Sequence, residues 1–182
     1  MKQLEEPLSL EERRSALYSM QNAKAPGPDG FTVEFFKRFG DKLLPLFEES
    51  FVDFHLCRLP STFSQASITV ILKMGRGPLS CGSYRPISLL NVNCKLLAKI
   101  LAHRLEATLP SIISPDQTGF IKKINFFNIR RLLNITQNVD PNQPLPEVII
   151  SLDSEKAFDR VKRGYLFQCL ERFKFGPNSY HG

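Results

Sequence analysis

The sequence has 182 residues, of which 42% are hydrophobic and 23% charged, with 13 prolines, 15 phenylalanines and no tryptophan. A chain of this length can bury the core of one ordinary domain or of part of a larger one, and its composition is not that of a disordered protein. Its apolar runs are too short to cross a bilayer, and its N-terminus lacks the pattern of a secretory signal. We therefore expect an intracellular protein, nuclear or cytoplasmic, without a membrane partner.

The net charge of +6 is unevenly distributed along the chain. Residues 1–60 carry 8 basic and 10 acidic side chains, whereas residues 61–182 carry 16 basic and 8 acidic ones. The basic excess fits a polyanionic partner such as nucleic acid, although a solvated basic face would give the same pattern. The four cysteines lack the paired spacing of a zinc site or a disulfide framework, and we interpret them as small, partly buried hydrophobic residues.

The first third of the chain is predicted to be helical, with one structured loop. A capping box begins an amphipathic helix that is predicted to span residues 9–24. Residues 24–30 contain two prolines and two glycines, which predicts a sharply structured loop. From Thr32 onward, aromatic and aliphatic residues recur at helical spacing, and a break near Gly40 predicts two consecutive helices.

The middle of the chain is predicted to contain two strands and a long helix. Ala66 to Lys73 is rich enough in β-branched and apolar residues for a strand. Tyr84 to Leu90 is a second extended segment, which Pro86 confines to a sheet edge or makes irregular. Asn93 to Leu109 has an apolar face at helical spacing, and Pro110 is predicted to end that helix.

The last part of the chain alternates loops with regular elements. Residues 114–119 are predicted to form a loop, and the polar segment at residues 140–146, which is rich in proline, is predicted to form a surface loop. Helical spacing predicts helices from Phe126 to Asn138 and from Val161 to Phe173. Between them, Glu147 to Asp153 is predicted to be a strand of the buried type.

Asp153 is a candidate metal ligand because it would end this buried strand. Functional groups commonly lie at the carboxyl end of strands, and a carboxylate fixed there can hold a divalent cation. The alternative is structural, since aspartate also commonly ends strands and caps helices. The position of Asp153 alone leaves both interpretations open.

Four segments of the chain resemble, in order, motifs zero, one, two and A of reverse transcriptases from LINE-type (non-LTR) retrotransposons. They are Lys24–Phe31 for motif zero, Tyr84–Asn91 with Lys95–Ala102 for motif one, Asp116–Ile121 with Asn128–Leu132 for motif two, and Ser151–Val161 for motif A. The order and spacing of the four segments make the resemblance specific. It covers about residues 8–174 of the chain.

The resemblance implies a role for each matching residue. Asp153 matches the aspartate that bridges two Mg²⁺ ions, and the Ser154 carbonyl would bind the ion on the triphosphate side. Phe158 matches the aromatic side chain that excludes a ribose 2′-hydroxyl. Lys73 and Arg85 match residues that contact the triphosphate of the incoming dNTP. The implied reaction is the template-directed addition of dNMP to a primer 3′-hydroxyl, with release of pyrophosphate.

The resemblance also implies an RNA template and a DNA primer as partners. Lys122, Lys123, Arg130 and Arg131 are candidates for lining their path, where each phosphate contact adds salt-dependent affinity. The arginine pair has an equally good alternative as the exposed face of a helix. Both interpretations remain open at this point.

The implied fold is α+β: part of a right-hand polymerase, rich in helices and with a short, incomplete sheet. Residues 1–64 would form an N-terminal helical region that contains motif zero. Residues 65–146 would form the fingers. Residues 147–182 would contribute the first palm strand and the helix that follows it.

The sequence departs from the family in one consequential way. The family's downstream motif, which supplies a pair of aspartates to the two-metal site, has no match after Asp153. A single aspartate would hold Mg²⁺ weakly, so we expect this chain alone to be inactive. The alternative function is that of a non-catalytic, nucleic-acid-binding remnant of a retrotransposon.

Overall fold

The computed structural model describes residues 6–55, 59–114, 116–117, 119, 125–138, 150–154 and 156–176. Helices predominate in these residues and accompany one two-stranded antiparallel sheet, which confirms the prediction of a helix-rich chain with a short sheet. In chain order the elements are α1 (Leu10–Tyr18), α2 (Val33–Arg38), α3 (Gly40–His55), β1 (Ala66–Leu72), a 3-10 helix (Cys81–Ser83), β2 (Tyr84–Leu90), α4 (Val92–Ile112), α5 (Asn125–Gln137), α6 (Ala157–Arg160) and α7 (Arg163–Arg172).

The described residues divide into two compact units, residues 6–104 and residues 105–176. No helix in the described part of either unit is long and apolar enough to span a membrane. The division into residues 1–64, 65–146 and 147–182 stays a prediction, because those boundaries follow roles in a polymerase rather than compactness.

Helices α1 and α2 begin at side chains that cap the first turn. The Glu12 amide donates to Ser9 Oγ (3.1 Å), and the Ser9 amide donates to the Glu12 carboxylate (2.9 Å), which confirms the capping box. The Thr32 hydroxyl accepts from the Phe35 amide (3.5 Å) at the start of α2. Helix α3 begins at Gly40, so the predicted pair of consecutive helices is confirmed.

Helix α1 ends at Tyr18, so the prediction that it extends to near Lys24 is wrong. Lys37 explains the early end, because its ammonium group donates to the Met20 carbonyl (2.7 Å). That carbonyl would otherwise accept a bond from a further helical turn. The chain beyond it also passes through a positive φ of 56° at Ala23, which a right-handed helix does not allow.

The core of the first unit is formed by apolar side chains from α1 to α4 and the segments beside them. Its buried members are Leu8, Ala16, Leu17, Val33, Phe36, Leu44, Phe63, Val92, Leu96, Leu97 and Ile100. Removing one large apolar side chain of this kind from water contributes about 1.5–3 kcal/mol. The predicted apolar face of the long helix is therefore confirmed as the face that packs on the core.

Strands β1 and β2 form an antiparallel hairpin. Pro86 lies opposite Val70, and β2 continues through it as a regular strand. The Lys73 amide donates to the Ser83 carbonyl (2.8 Å), and ladder bonds alternate from that pair along the hairpin. Pro86 consequently occupies a position whose amide would face away from β1, so its missing donor costs no ladder bond. The prediction of an edge strand is confirmed, and the irregularity is not observed.

Helix α4 runs through Pro110 to Ile112, so the prediction that Pro110 ends the helix is wrong by two residues. A proline removes one helical hydrogen bond, which costs least near a helix end. The amide of Ile113 still donates to the Leu109 carbonyl (3.0 Å), and this bond completes the final turn.

The second unit contains the predicted helices but not the predicted strand. Helix α5 confirms the helix predicted from Phe126 to Asn138. Helix α7 confirms the helix predicted from Val161 to Phe173, with its start at Arg163.

Residues 150–154 have no regular secondary structure, so the strand predicted to end at Asp153 is wrong for its described part. The side chains of Ile150 and Leu152 are 73% and 90% exposed, which also contradicts the buried type. A buried strand needs neighbours along both edges, and the strands of the described residues pair only with each other. Residues 147–149 and the loop predicted at residues 140–146 lie outside the described residues.

Candidate nucleotide-binding and metal-binding residues

The β1–β2 hairpin brings Lys73 and Arg85 to one face of the sheet. Arg85 lies directly opposite Ile71, and cross-strand partners share a face. Lys73 lies two residues beyond Ile71 and continues the ladder by bonding to Ser83, so alternation puts it on the same face. Two cations that are 12 positions apart in sequence thus become diagonal neighbours near the turn of the hairpin.

The turn end of the hairpin is held by side-chain bonds to its own backbone. Lys73 Nζ donates to the Gly82 carbonyl (2.8 Å), and the Tyr84 hydroxyl donates to the Pro78 carbonyl (3.0 Å). Ser83 is buried at the end of the 3-10 helix between them. Arg85 is exposed and Lys73 is half-buried, so a polyanionic ligand has open access to this face.

The base of the hairpin contains Asn91, a buried polar residue that is only 6% exposed. Its side-chain amide donates to the Thr62 carbonyl (3.2 Å), and its Oδ1 accepts from the Asp29 amide (3.2 Å). Asn91 therefore joins the segment before β1 to the loop at residues 25–30. Asn91 ends the segment that resembles motif one, but the sequence predicted no role for it; its one local signal is a polar residue between Leu90 and Val92.

Gly27 packs against the backbone at Asn91 so closely that no side chain would fit. A Cβ at Gly27 would lie 2.2 Å from Asn91 Oδ1 and 2.5 Å from the Leu90 carbonyl carbon. The Gly30 amide donates to the Gly27 carbonyl (3.1 Å), and Gly30 has a φ of 76°. This conformation favours glycine and confirms the sharply structured loop that was predicted.

Two lysines of α4 bind backbone carbonyls at the start of the same loop and at the end of α1. Lys95 Nζ donates to the Ala25 carbonyl and Lys99 Nζ to the Ser19 carbonyl, each at 3.1 Å. The two ammonium groups thus satisfy carbonyl oxygens that would otherwise accept hydrogen bonds from water or from a further helical turn.

Glu12 and Arg104 form an ion pair in the first unit. Arg104 Nε lies 2.7 Å from Oε1, and Nη2 lies 2.8 Å from Oε2, which is a bidentate geometry. Hydrogen bonding from Arg104 lowers the pKa of Glu12 to about 2. The pair ties the first turn of α1 to α4.

Asp153 and Ser154 lie in an exposed segment of the second unit. Lys156 follows with a left-handed backbone (φ 53°), and its carbonyl accepts from the Asp159 amide (3.0 Å), which starts α6. Phe158 lies on α6 with 83% of its surface exposed. Asp153 and Phe158 thus belong to one short segment, in which the left-handed residue Lys156 lies between the carboxylate and the aromatic ring.

The donor chemistry at Asp153 fits magnesium, but the described residues do not complete a metal site. A carboxylate and a backbone carbonyl, such as that of Ser154, are the oxygen ligands that Mg²⁺ prefers. Among the described residues no three histidine, cysteine, aspartate or glutamate side chains gather in a group that could hold a metal ion. Asp153 and Ser154 could therefore supply part of a coordination sphere, and no catalytic step follows from them alone.

The candidate nucleic-acid contacts are only partly described. Arg130 and Arg131 lie exposed on α5. Arg131 forms an ion pair with Asp116, which connects the two segments that resemble motif two. Lys122 and Lys123 lie outside the described residues. The role of all four in nucleic-acid binding stays a prediction.

A match to a protein-family profile includes Lys73 and Arg85 of the hairpin as well as the segment around Asp153. The family profile described as reverse transcriptase (RNA-dependent DNA polymerase) matches residues 71–181. The chain belongs to the reverse transcriptase family. The resemblance to reverse transcriptases of LINE-type (non-LTR) retrotransposons is thereby confirmed, and relatives from such elements agree with it.

Several curated relatives extend this similarity over nearly the whole chain. The transposon TX1 uncharacterized 149 kDa protein of Xenopus laevis is 38% identical over 96% of the chain. The Pol polyprotein from the type-1 retrotransposable element R2 of Popillia japonica is 31% identical over 91%. The RNA-directed DNA polymerase from the mobile element jockey of Drosophila melanogaster is 29% identical over 98%.

The reverse transcriptase chain spans only part of these relatives. It covers 13% of the TX1 protein, 22% of the R2 polyprotein and 20% of the jockey polymerase. Lys73 and Arg85 belong to its first unit, whereas Asp153, Ser154 and Phe158 belong to its second unit.

Proposed function

We propose that the chain forms the nucleotide-binding and template-binding part of an RNA-directed DNA polymerase. The reaction of such an enzyme is the addition of dNMP to a primer 3′-hydroxyl on an RNA template, with release of pyrophosphate. Membership of the reverse transcriptase family supports the proposal, and a relative at 29% identity carries this activity in its name. In this proposal residues 65–146 serve as fingers, and residues 147–182 begin the palm of a right-hand polymerase.

The observation that carries the proposal is the pairing of Lys73 and Arg85 on one hairpin face. A triphosphate presents several charged oxygens, and two cations on neighbouring positions can neutralise them together. Arg85 supplies a planar fork of donors for two oxygens at once, whereas Lys73 supplies a compact point charge. The bond from Lys73 to the Gly82 carbonyl orients its side chain before a ligand arrives.

Asp153, Ser154 and Phe158 have the remaining nucleotide roles in the proposal. The Asp153 carboxylate and the Ser154 carbonyl would hold Mg²⁺, with further ligands that are not among the described residues. The metal, when bound, neutralises the triphosphate and activates the primer hydroxyl. Phe158 would exclude a ribonucleotide because its ring would collide with the 2′-hydroxyl of the sugar. The ring is exposed, so it is accessible for such a contact.

The proposed nucleic-acid partners are an RNA template and a DNA primer. The basic excess of residues 61–182 supports binding to a polyanion, and Arg130 offers an exposed cation on α5. Lys122, Lys123 and Arg131 complete the proposed set. Each phosphate contact would make the affinity fall further with salt.

The test is calorimetric titration of the full chain with dTTP in the presence of Mg²⁺. Lys73→Ala and Arg85→Ala should each weaken dTTP binding about tenfold, which is the loss of roughly 1.4 kcal/mol expected for one charge-assisted contact in an open site. Arg76→Ala is the matched control, because it removes an exposed cation from the turn of the same hairpin. The control should bind dTTP as the wild type does.

Two results would contradict the proposal. One is the absence of dTTP binding by the wild-type chain, and the other is an equal loss in all three variants. Salt-dependent RNA binding that is indifferent to Mg²⁺ and to Asp153→Ala, without any dTTP binding, would favour the non-catalytic nucleic-acid-binding remnant instead.

A further inference from the structure

The hairpin that carries Lys73 and Arg85 is exposed over most of its length. Every residue of β1 is exposed, and β2 becomes half-buried only at its two ends. A two-stranded hairpin is marginally stable without packing from other elements. The position of the hairpin relative to the core is therefore set at its base, where the strands meet the core.

Asn91 is the residue at that base with bonds in two directions. It follows β2 immediately, and its Nδ2 donates to the carbonyl of Thr62, which precedes β1. Its Oδ1 accepts from the Asp29 amide in the loop at residues 25–30. One side chain thus joins the entrance of the hairpin, its exit and a separate loop.

The loop at residues 25–30 is itself anchored, so its bond to Asn91 can hold the base of the hairpin in place. From α4, Lys95 binds the Ala25 carbonyl at the start of the loop, and Lys99 binds the Ser19 carbonyl at the C-terminal cap of α1. Gly27 lies against the Asn91 backbone with no space for a side chain. Because Asn91 is buried and its two bonds are partly buried, competing water is partly excluded, and losing the side chain would leave polar groups without these partners.

We propose that Asn91 is a positioning residue, which fixes the base of the β1–β2 hairpin to the loop at residues 25–30 so that Lys73 and Arg85 meet a nucleoside triphosphate in a set orientation. This inference rests on the proposed function of the two cations. Asn91 itself would not touch the nucleotide, since its two bonds are to backbone groups at the base of the hairpin.

The experiment measures dTTP affinity and amide hydrogen exchange on the same full-chain variants. Asn91→Ala should raise the Kd for dTTP with Mg²⁺ about tenfold. It should also speed the exchange of the Asp29 amide. Val33→Ala is the control for lost stability, because it truncates a buried core residue that belongs to α2 and neither to the hairpin nor to the loop at residues 25–30. At a temperature where both variants are folded, Val33→Ala should keep the wild-type Kd.

Two further variants keep the inference testable if Asn91→Ala fails to fold. Asn91→Asp retains the acceptor for the Asp29 amide and loses the donor to Thr62, so Asp29 exchange should stay slow while the Kd rises. Gly27→Ala forces the loop away from Asn91, and it should raise both the exchange rate and the Kd. Gly77→Ala is its matched control, since a Cβ there meets no atom within 4 Å.

Each outcome bears on one claim. If the wild type binds dTTP and the Kd values of Asn91→Ala, Asn91→Asp and Gly27→Ala all stay within twofold of it, the inference is overturned while the proposed function stands. If the Kd also rises tenfold in Val33→Ala, the role of Asn91 is structural only. If the wild type does not bind dTTP, the proposed function fails and this inference fails with it.

Discussion

Replacing Glu12 by glutamine should destabilise the first unit by breaking its ion pair with Arg104. The bidentate contact joins α1 to α4, and Arg104 also donates to the carbonyls of Glu6 (2.6 Å) and Pro7 (3.0 Å). The Arg104 side chain is only 8% exposed, so the substitution removes a carboxylate from a nearly buried guanidinium. Glutamine still serves at the third position of a capping box, so the change isolates the ion pair.

The size of the effect follows from the lowered pKa of Glu12. A shift from 4.5 to about 2 would correspond to about 3 kcal/mol if the carboxylate were fully buried. The Glu12 side chain is 36% exposed, and solvent screening reduces this to about 1–2 kcal/mol. Because the pKa is lower in the folded state, the contribution is complete above pH 4.5 and is lost as the pH falls from there towards 2.

The assay is urea unfolding of the full chain followed by far-ultraviolet circular dichroism at pH 7 and near pH 2. Glu12→Gln should lower the free energy of unfolding by about 1–2 kcal/mol at pH 7, and the difference from the wild type should shrink near pH 2. Glu11→Gln is the matched control, because Glu11 lies in the same helical turn and is exposed. An equal effect of the two substitutions at pH 7 would refute the assigned role of the ion pair.

Two further predictions concern the first unit. Leu96→Ala should lower the free energy of unfolding by about 2–5 kcal/mol because Leu96 is fully buried, whereas Leu46→Ala at an exposed site should lower it by less than about 1 kcal/mol. Urea unfolding measures both values, and similar losses in the two variants would contradict the described core. Burial raises the pKa of the Cys94 thiol, so iodoacetamide at pH 8 should label the exposed Cys81 faster than Cys94. Mass spectrometry of the labelled peptides measures the two rates, and faster labelling of Cys94 would contradict this prediction.

Local chemistry explains why much of the first unit could be predicted from the sequence. The Ser9 capping box, the break at Gly40 and the apolar face of α4 depend on residues within a few turns of each other. The glycines and prolines of the loop at residues 25–30 likewise act on their own backbone. The Glu12–Arg104 pair could not be predicted this way, because its partners are 92 positions apart.

Long-range contacts explain the misses. Asn91 bonds to Asp29 across 62 positions, and Lys95 and Lys99 bond to carbonyls 70 and 80 positions away. A helical pattern identifies such lysines only as polar. The strand predicted to end at Asp153 failed for a related reason, since an apolar run becomes a buried strand only where neighbouring strands cover it.

The candidate site was predictable only in part. The sequence pattern placed Lys73 and Arg85 on two predicted strands, but the pairing and register that bring them to one face came from the structure. The roles of Asp153, Ser154 and Phe158 depend on the family resemblance rather than on contacts among the described residues. Their exposure in the second unit is compatible with ligand binding and does not by itself identify a ligand.

Whether the hairpin binds a triphosphate is tested most directly by comparing dTTP with thymidine in the presence of Mg²⁺. The full wild-type chain should bind dTTP at least tenfold more tightly than thymidine, because the contacts of Lys73 and Arg85 are to phosphate oxygens. The double variant Lys73→Ala/Arg85→Ala should lose most of that preference and leave thymidine binding unchanged. A double variant that still prefers dTTP as strongly as the wild type would contradict the central claim.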